Sequence, residues 1–444
     1  MDKINGIINK VIEFDDFKDY ENQVISFTGY IHRIREMSDF SFVIIRTKRD
    51  VVQCIYSKEF SDYTWDERIV ENTSVKITGK VVNSKDAQGN DRFEVQIHNI
   101  EVLSLPAEQM PIVINKKQLD NVQLSTALDL RPISLRNPKE RAVFKVQEGI
   151  ARGFREFLQK NDFTEIRTPK IVFAGAEGGA NIFKLDYFGK PVYLTQSPQF
   201  YKQELVGVYE RVFEIAPVFR AEHHDTSRHL NEYISMDFEM GFIDSFYDIM
   251  NMETGLLKYI FELLNKEYKK ELDLLKVQMP TITEIPVIKF KDAKDMIVNK
   301  FKKHITDFND FEPEEEQLLG AWAKKEFGSD FLFVTHYPSK KRPFYAMDDP
   351  EDPESTLSFD LLFRGVEITT GGQRIHDYNM QVKKMQDRGM KVEEFETYLM
   401  LHKYGAPPHG GLGLGLERLT MNLLGFKNVR YASMFPRDIN RVTP

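Results

Sequence analysis

The 444-residue sequence has one cysteine and no long apolar run, and both absences exclude whole classes of protein. A lone thiol, Cys54, allows neither an intrachain disulfide nor a cysteine-based zinc site. No apolar stretch approaches the roughly 20 residues that cross a bilayer, so no membrane partner is expected. The opening residues, MDKINGIINKVIEFDD, are too acidic for a secretory signal. Together these features predict a cytoplasmic protein.

Compositional bias and a strong excess of basic charge are also lacking. Hydrophobic residues make up 41% of the chain and aromatic residues 12%, which is ample for packed interiors. A chain of 444 residues is expected to form two or three domains. The 60 basic residues against 68 acidic ones give a net charge of −8. This balance argues against a general polyanion binder, although local basic patches could still bind a nucleic acid.

Residues 1–105 contain five short segments in which apolar and polar residues alternate. They are VISFTGYIHRI, FSFVIIRT, VVQCIYS, SVKITGKVVN and RFEVQIHNIEVLSL. This alternation predicts five strands. Five short strands favour a small Greek-key barrel of the OB type, with another small β domain as the alternative. Residues 106–136 are mixed and dotted with proline, and are predicted to form a hinge or linker.

Residues 137–444 combine helix and strand patterns without a regular βαβ order. After Asn137-Pro138, apolar residues recur at helical spacing and predict an amphipathic helix. Strand-like segments dominate the rest, and a helical insertion is predicted at about 265–345. This arrangement predicts an α+β domain in which helices flank an antiparallel sheet.

The segment Phe219–Tyr233, FRAEHHDTSRHLNEY, contains two arginines, three histidines and three acids. It separates two strand-like segments, so we expect a hairpin with this segment as its long loop. A zinc site is disfavoured because the positive charge of Arg228 adjoins the would-be ligand His229. A solvated loop is one remaining interpretation. Phosphate binding is the other, because the planar guanidinium fork of arginine matches phosphate oxygens.

The strand that follows this loop has two chemically different faces. Tyr233, Ser235, Asp237 and Glu239 share one face, and apolar residues share the other. We expect the apolar face to pack on a core and the polar face to line a site.

A second polar hairpin is predicted in FDLLFRGVEITTGG, with Arg364-Gly365 as a two-residue turn. The register about this turn sets Asp360 opposite Thr369. Asp360 and Glu367 then lie on the same face, while the side chain of Thr370 lies on the other. Two neighbouring carboxylates suit Mg²⁺, and the alternative is a pair of exposed acids.

The third segment, PPHGGLGLGLERLTMNLLG, is a glycine-rich strand that runs into a helix near Arg418. Glycines let the backbone approach a ligand closely, and the positive end of the helix would face that ligand. No Gly-Lys-Ser/Thr sequence follows and no βαβ unit surrounds the segment. It is therefore neither a Walker loop nor a dinucleotide fingerprint.

These three segments, in this order and behind an N-terminal barrel, resemble the three signature motifs of class II aminoacyl-tRNA synthetases. The first motif is the helix and strand that lead to Pro169, the second begins at Phe219-Arg220-Ala221-Glu222, and the third ends at Arg418. The match covers essentially the whole chain and points to the aspartyl, asparaginyl and lysyl subgroup. It implies an OB-fold anticodon-binding domain at 1–105 and a class II catalytic domain at 137–444. It also implies ATP and Mg²⁺, a tRNA partner, and a homodimer that uses the first-motif helix.

The resemblance also implies roles for individual residues at the nucleotide site. The implied catalytic residues are Arg220, Glu222 and Arg418, of which Arg220 contacts the α-phosphate and Glu222 accepts from the adenine amino group. The implied ATP-binding residues are Arg220, Glu222, Arg228, His229, Leu230, Tyr233, Glu367, Gly415, Leu416, Glu417 and Arg418. The implied Mg²⁺ ligands are Glu367, Thr370, where the family often has serine, and Asp360.

For the amino acid, the resemblance points to the aspartyl enzymes of archaeal and eukaryotic type. The implied aspartate-binding residues are Glu177, Gln199, Lys202, Arg220, Asp237, Thr370 and Arg374. Lys202 and Arg374 place two cations around the side-chain pocket, and a bound asparagine would leave a buried charge unpaired. The implied substrate is thus L-aspartate, transferred to tRNA(Asp), with charging of tRNA(Asn) left open. The alternatives are an asparaginyl enzyme, a paralogue that amidates aspartate, and a non-catalytic RNA-binding relative.

In the barrel, the resemblance implies an anticodon site. The implied residues are Phe42, Gln53, Glu94 and His32. Aromatic stacking combined with hydrogen bonds to base edges is how such folds recognise splayed bases. Five basic residues could contact phosphates or form a solvated surface: Arg33, Arg35, Arg46, Lys48 and Arg49.

Overall fold

A computed structural model describes Ile12 and residues 14–48, 50–85, 91–116, 119, 122–173, 181–223 and 225–444. Three residues considered above, Arg49, Glu177 and His224, lie outside the described residues. Over the described ranges, no helix is long and apolar enough to cross a membrane. The chain divides into two compact units. One comprises the described residues up to Gln123 with Pro132–Pro138, and the other comprises Leu124–Arg131 with Lys139–Pro444.

The smaller unit contains a closed five-stranded barrel. Its strands are β1 (Val24–Glu36), β2 (Ser41–Arg46), β3 (Val51–Tyr56), β4 (Ser74–Lys85) and β5 (Asp91–Ser104). They follow the order β1-β2-β3-β5-β4, which confirms the predicted OB-type barrel. Alternate residues such as Val43, Ile45, Val75 and Ile77 are fully buried and form its core. The polar residues between them stay on the outer surface, as the sequence period requires.

The larger unit contains eleven of the named strands in two sheets. They are β6 (Thr164–Glu165), β7 (Ile171–Val172), β8 (Lys184–Tyr187), β9 (Lys190–Leu194), β10 (Arg211–Phe219), β11 (Glu232–Gly241), β12 (Val287–Lys289), β13 (Phe331–Thr335), β14 (Ser358–Phe363), β15 (Val366–Gln373) and β16 (His409–Gly415). Eight form a sheet of order β12-β13-β14-β15-β16-β11-β10-β6, and three form a small sheet of order β7-β9-β8. The six central strands of the large sheet are antiparallel, as predicted. At the two edges, β12 is parallel to its neighbour β13 and β6 is parallel to its neighbour β10, so the sheet as a whole is mixed.

Helical elements occur in both units, and those of the larger unit flank this sheet. The helices are α1 (Leu124–Asp129), α2 (Arg131–Ser134), α3 (Pro138–Lys160), α4 (Gln199–Tyr209), α5 (Tyr247–Glu267), α6 (Lys269–Leu275), α7 (Phe290–Asn299), α8 (Pro313–Phe327), α9 (Tyr378–Asp387), α10 (Glu396–Lys403) and α11 (Leu416–Leu424), with short 3₁₀ turns at Phe14–Tyr20, Val392–Phe395 and Val429–Ala432. The predicted linker 106–136 includes α1 and α2 and is divided between the two units. The predicted insertion at 265–345 is not purely helical, because β12 and β13 within it belong to the large sheet. The domain boundaries at 105 and 137 stay predictions.

One face of the large sheet is covered by a hydrophobic core. Ile150 and Phe154 of α3, Leu257 of α5, and Phe238 and Leu412 of the sheet belong to one buried cluster. Each of the five is 0% exposed. The helices therefore cover this face, and the polar side chains of β11, Ser235 and Asp237, belong to the other face.

Candidate active site

A cavity of about 670 Å³ lies over the polar face of the large sheet. Strand β11 shows how the sequence builds it. Met236 and Phe238 are buried in the core, whereas Ser235 and Asp237 line the cavity, which confirms the predicted alternation. The cavity gathers most of the predicted nucleotide and amino-acid residues: Gln199, Lys202, Arg220, Glu222, Arg228, His229, Leu230, Tyr233, Asp237, Glu367, Thr370, Arg374, Gly415, Glu417 and Arg418.

At one end of the cavity, α4 buries a lysine. Lys202 is only 1% exposed, and its Nζ lies 3.0 Å from Oδ1 of Asp237 and 3.3 Å from Oε2 of Glu239. The same ammonium donates to the carbonyl oxygen of Leu412 at 2.9 Å. Gln199, at the start of α4, is 3% exposed, and no described residue accepts from its Nε2. An unsatisfied buried amide lining a cavity is a group that a polar ligand would complete.

Arg374, the second predicted cation at this end, pairs with Glu239, one of the two acids that Lys202 contacts. Its Nε donates to Oε1 of Glu239 at 2.8 Å. Burial would raise the pKa of Glu239, but Arg374 and Lys202 outweigh burial and hold it below its usual range. Lys202 and Arg374 therefore share one cavity and one carboxylate. Glu239 was not predicted as a site residue, although its place two positions after Asp237 on the polar face was a signal.

The glycine-rich strand β16 makes room for this network. A Cβ at Gly411 would lie 2.3 Å from Oε2 of Glu239, and its carbonyl oxygen accepts from Nη2 of Arg374 at 2.9 Å. The glycines thus bring backbone, rather than side chains, against the buried ion pairs. Nearby, burial lowers the pKa of His409 to about 4, so this imidazole is neutral near pH 7 and adds no charge.

The predicted hairpin of β10 and β11 is confirmed, and Arg220 follows the end of β10. Its guanidinium carbon lies 5.9 Å from the ring centroid of Tyr233. Asn231 fixes the backbone here. Its side-chain amide donates to the carbonyl oxygens of Arg220 at 2.7 Å and of Glu222 at 3.0 Å, and its own carbonyl oxygen accepts from the amide of Arg220. Asn231 was not predicted as a site residue, since asparagine in a loop is too common to single out.

The loop between these strands is held by the last residues of the chain. Arg430 donates through Nη2 to Asp225 at 2.7 Å, through Nη1 to the carbonyl oxygen of Thr226 at 3.1 Å, and through Nε to Asp438 at 2.6 Å. The side-chain amide of Asn440 also donates to Asp225, at 2.8 Å. No local pattern in the sequence indicated that a residue about 200 positions away would hold this loop. His223 is exposed, which agrees with an ordinary loop residue.

Arg228 and His229 both point from this loop towards carboxylates. Nη2 of Arg228 lies 3.0 Å from Oε2 of Glu316, a residue of α8, and Nε2 of His229 lies 3.7 Å from Oε2 of Glu222. Burial, together with repulsion from Glu367, raises the pKa of Glu316 to about 7. Glu316 was not predicted, because α8 belongs to the segment interpreted as an insertion. The loop therefore presents its cations at the cavity but holds them against acids.

The second hairpin has the predicted turn but a different register beyond it. Phe363 pairs with Val366 across Arg364-Gly365, as predicted. A β-bulge at Ile368 then shifts the pairing, so that Asp360 lies opposite Thr370 and not opposite Thr369. The predicted register was wrong at this point. Its consequence for Thr370 was wrong too: the bulge brings its hydroxyl to the carboxylate face, 3.4 Å from Oε1 of Glu367.

Only one of the two predicted carboxylates is open to the cavity. Asp360 is 4% exposed, does not line the cavity, and accepts from Nη2 of Arg342 at 2.7 Å. Burial raises the pKa of Asp360 to about 6, against the opposing effect of Arg342. Glu367 and the Thr370 hydroxyl supply oxygen ligands of the kind that Mg²⁺ prefers. Among the described residues, no three His, Cys, Asp or Glu side chains come together as a metal-binding group.

Helix α11 begins at the cavity, as the third motif predicted. Nη1 of Arg418 donates to Oε1 and to the carbonyl oxygen of Glu367, at 3.2 Å each. The carboxylate of Glu417 accepts from the backbone amide of Ile234, so it ties α11 to β11. Leu416 was predicted to bind ATP, but its side chain does not lie at the cavity. Its side chain is 6% exposed and packs in the core, not in the cavity lining.

Of the four predicted anticodon residues of the barrel, Phe42 and Gln53 are half-buried, whereas Glu94 and His32 are each only 7% exposed. Nε2 of Gln53 donates to Oε1 of Glu94 at 2.6 Å, and Phe42 stands edge-on to Phe40 with ring centroids 5.1 Å apart. His32 occupies a register shift in β1 and is only 7% exposed, so its side chain is turned inward. Of the basic residues, Arg33 and Arg35 are exposed. Arg46 is 3% exposed and donates to Asn72 at 3.1 Å, so it is a structural residue and not a surface cation.

The sequence matches known families across both units. The family of tRNA synthetases class II (D, K and N) matches residues 123–439. The chain belongs to this family. The OB-fold nucleic acid binding domain matches residues 25–103. The resemblance inferred from the three motifs is therefore confirmed.

Similar synthetases cover nearly the full chain. The aspartate–tRNA(Asp/Asn) ligase of Deinococcus radiodurans is 46% identical over 96% of this chain and 97% of its own length. The aspartate–tRNA(Asp) ligase of Thermoplasma volcanium is 37% identical over 95% of this chain and 97% of its own length. Among solved structures, asparaginyl-tRNA synthetase from Pyrococcus horikoshii complexed with asparaginyl-adenylate matches with a TM-score of 0.89 and 30% identity. That match covers 98% of this chain and 100% of the other.

Proposed function

We propose that this class II synthetase is an aspartate–tRNA ligase. It activates L-aspartate with ATP to aspartyl-adenylate and then transfers the aspartyl group to the 3′ end of tRNA(Asp). The observation that carries the proposal is the shared cavity of Lys202 and Arg374, joined through Glu239 and open towards Arg220. The names of the two relatives described above agree with it.

The charge balance at the amino-acid end supports aspartate over asparagine. Three cations, Lys202, Arg220 and Arg374, face two anions, Asp237 and Glu239, which leaves one net positive charge. L-Aspartate carries two carboxylates and one ammonium, so it brings one net negative charge and neutralises the site. Asparagine is neutral overall and would leave one buried charge uncompensated, which costs several kcal/mol. Asp237 is proposed to receive the substrate ammonium, and the balance counts only residues that the structure describes, so Glu177, predicted from the sequence, is not part of it.

At the nucleotide end, we assign roles to the residues that surround the cavity. Arg220 neutralises charge at the α-phosphate while an oxygen of the substrate carboxylate attacks the α-phosphorus and pyrophosphate leaves. Arg228 and His229 bind the terminal phosphate, and Glu222 accepts from the adenine amino group. Arg418 and Tyr233 enclose the adenine ring, with cation–π attraction from the arginine. The protein's contribution is mainly positioning and charge compensation, without a covalent enzyme intermediate.

Mg²⁺ fits the oxygen donors that face the cavity. Glu367 and Thr370 are proposed to hold it, and it would supply charge neutralisation to the triphosphate. Asp360 is the weaker candidate, because Arg342 already neutralises its carboxylate.

Transfer completes the reaction when the terminal ribose hydroxyl of the tRNA attacks the adenylate carbonyl. Phe42, Gln53 and Glu94 are proposed to contact the anticodon, through stacking and base-edge hydrogen bonds. His32 is proposed to act behind this surface, since its side chain is buried. The proposal includes tRNA(Asn) as a second candidate substrate beside tRNA(Asp), because the curated relatives include enzymes of both descriptions.

A homodimer in the cytoplasm is part of the same proposal. Helix α3 is the first-motif helix on which the family resemblance places the interface. The small three-stranded sheet and its flanks also expose apolar side chains, among them Phe173 (75%) and Phe188 (90%). Surfaces of this kind in a water-soluble protein commonly mark an interface. A single, buried cysteine agrees with a reducing compartment.

The test is amino-acid-dependent exchange of labelled pyrophosphate into ATP by the wild-type protein. We expect exchange with aspartate and, at equal concentration, about 100-fold less with asparagine. Exchange with asparagine but not with aspartate would contradict the assignment. No exchange with any amino acid would favour a non-catalytic RNA-binding relative. Charging of purified tRNA(Asp) and tRNA(Asn), measured side by side, then determines the tRNA specificity.

A further inference from the structure

Helix α8 is seated directly on the turn between β14 and β15. A Cβ at Gly320 would lie 2.4 Å from the backbone nitrogen of Gly365, and a Cβ at Gly365 would lie 2.8 Å from Cα of Gln317. No side chain separates the helix from the turn at this point. The position of the first turn of α8 is therefore fixed relative to strand β15, which carries Glu367.

This seating places Glu316 behind the nucleotide end of the cavity. Its side chain is 11% exposed, and Oε2 accepts from the backbone amide of Glu367 at 3.4 Å. The same oxygen lies 3.0 Å from Nη2 of Arg228. Glu316 itself does not line the cavity, whereas Arg228 does. Glu316 can thus affect a ligand only through the cavity residues that it contacts, Arg228 by its side chain and Glu367 by its backbone amide.

The contact uses only one nitrogen of the Arg228 guanidinium. Besides Glu316, Nη2 makes one long contact, 3.5 Å to the carbonyl oxygen of Gly365. Within the part of the chain that the structure describes, Nε and Nη1 of Arg228 form no hydrogen bond. A guanidinium has five donors in a rigid plane, so fixing one nitrogen orients the others without using them.

We propose that Glu316 is a positioning residue, which holds the guanidinium of Arg228 through Nη2 and directs Nη1 and Nε to the terminal phosphate of ATP. The inference rests on the proposed function, and deepens it at the triphosphate. An arginine without such a contact must give up side-chain freedom when it binds, and that loss weakens binding. A carboxylate that already holds the side chain in place removes part of this cost.

The proposal predicts effects that are limited to steps with a bound triphosphate or pyrophosphate. Glu316→Ala should raise the KM for ATP about tenfold in the exchange reaction, while kcat changes less than about twofold. Glu316→Gln keeps an oxygen acceptor and should lie between wild type and alanine. The KM for aspartate should not change. Transfer of the aspartyl group from preformed adenylate to tRNA should proceed at the wild-type rate, because the terminal phosphates have already left.

Glu314→Gln is the matched control, since Glu314 lies on the same turn of α8 but pairs on the surface with Lys303. It should behave as wild type in every assay. The melting temperature of each variant shows whether it folds, and the isosteric Glu316→Gln keeps the test informative if the alanine variant is unstable.

The decisive experiment is the double-mutant cycle with Arg228→Ala. If Glu316 acts through Arg228, adding Glu316→Ala to Arg228→Ala should raise the KM for ATP by a further factor of less than about two. A further tenfold rise would show that Glu316 acts independently, and equal slowing of adenylate transfer would show a general structural role. Either result overturns the inference. Absence of exchange in the wild-type protein would instead refute the proposed function, so the two failures are distinguishable.

Discussion

The two ends of the cavity are built in different ways. At the amino-acid end, Lys202 of α4 and Glu239 of β11 are 1% and 0% exposed, and Arg374, which pairs with Glu239, directly follows β15. At the nucleotide end, the side chains of Arg418 and Glu367 are 30% and 35% exposed, and the loop with Arg228 is held by remote segments. Ion pairs in the buried end act in a low dielectric, whereas those at the open end are screened by water.

This difference agrees with what each end must recognise. Aspartate and asparagine differ by one small group, so discrimination needs a rigid site with a fixed charge balance. A triphosphate is large and highly charged, and it must enter, react and leave as pyrophosphate. Cations on a loop, each held by an acid until the ligand arrives, suit that task. We therefore expect substitutions at the buried end to be more damaging than substitutions at the open end.

The largest effect is expected for Lys202→Met, which removes one of the two cations that neutralise Asp237 and Glu239. Breaking a buried ion pair costs about 3–5 kcal/mol, so kcat/KM for aspartate should fall at least about 100-fold. The KM for ATP should change less than about threefold, because Arg220 and the loop are untouched. Steady-state exchange kinetics with each substrate varied in turn measure both quantities.

Lys383→Met provides the matched control for this variant, because the Lys383 side chain is 74% exposed and pairs with Asp387 on the surface of α9. It should leave both constants unchanged. If Lys202→Met lowered the affinities for aspartate and ATP by equal factors, the separation of the two ends would be wrong.

A smaller effect is expected at the other end for Arg430→Met, which removes two of the contacts between the C-terminal segment and the loop. Asp225 and Thr226 would each lose the hydrogen bond from Arg430, so the loop should become more mobile and the KM for ATP should rise about five- to tenfold. The KM for aspartate should change little. Arg430→Lys keeps the charge and should recover part of the loss. A rise in the aspartate KM as large as that for ATP would show that the two ends are not independent.

Local sequence patterns predicted the elements of the site because the relevant signals are short in range. The alternation on β11 identified the cavity face at Ser235 and Asp237, and Arg364-Gly365 identified the second hairpin. The glycines before Arg418 identified the strand that meets α11. Each of these features depends on neighbours within a few residues, and each was confirmed.

The errors arose where long-range packing determines the result. The bulge at Ile368 buries two consecutive side chains, Ile368 and Thr369, and only the tertiary core explains why both turn inward. Leu416 was expected at the ligand, but its apolar side chain is buried in the core. Glu316 and Arg430 reach the loop from elements far away in sequence, and their roles follow from the fold alone.

The smallest effect on activity, together with a separate effect on stability, is expected for Glu253 on the core side of the large sheet. Glu253 of α5 is 0% exposed, and burial, with repulsion from Asp360, raises its pKa to about 8. An unfolded chain ionises this carboxyl near its ordinary pKa of about 4.3, so between pH 5 and 8 the folded state binds the extra proton. Stability contributed by Glu253 must therefore fall as pH rises, by up to about 1.4 kcal/mol per pH unit.

Glu253→Gln has no proton to lose and should escape this penalty. Relative to wild type, we expect its free energy of unfolding to increase progressively from pH 5 to pH 8, with little difference below pH 5. Urea unfolding of the full chain at each pH measures the difference. Glu262→Gln, an exposed position on the same helix, should show no such trend. Exchange activity of Glu253→Gln should match wild type with both substrates, because the side chain lies on the core side of the sheet and touches neither end of the cavity. A stability difference independent of pH would mean that Glu253 stays ionised in the fold, with an unrecognised cationic partner.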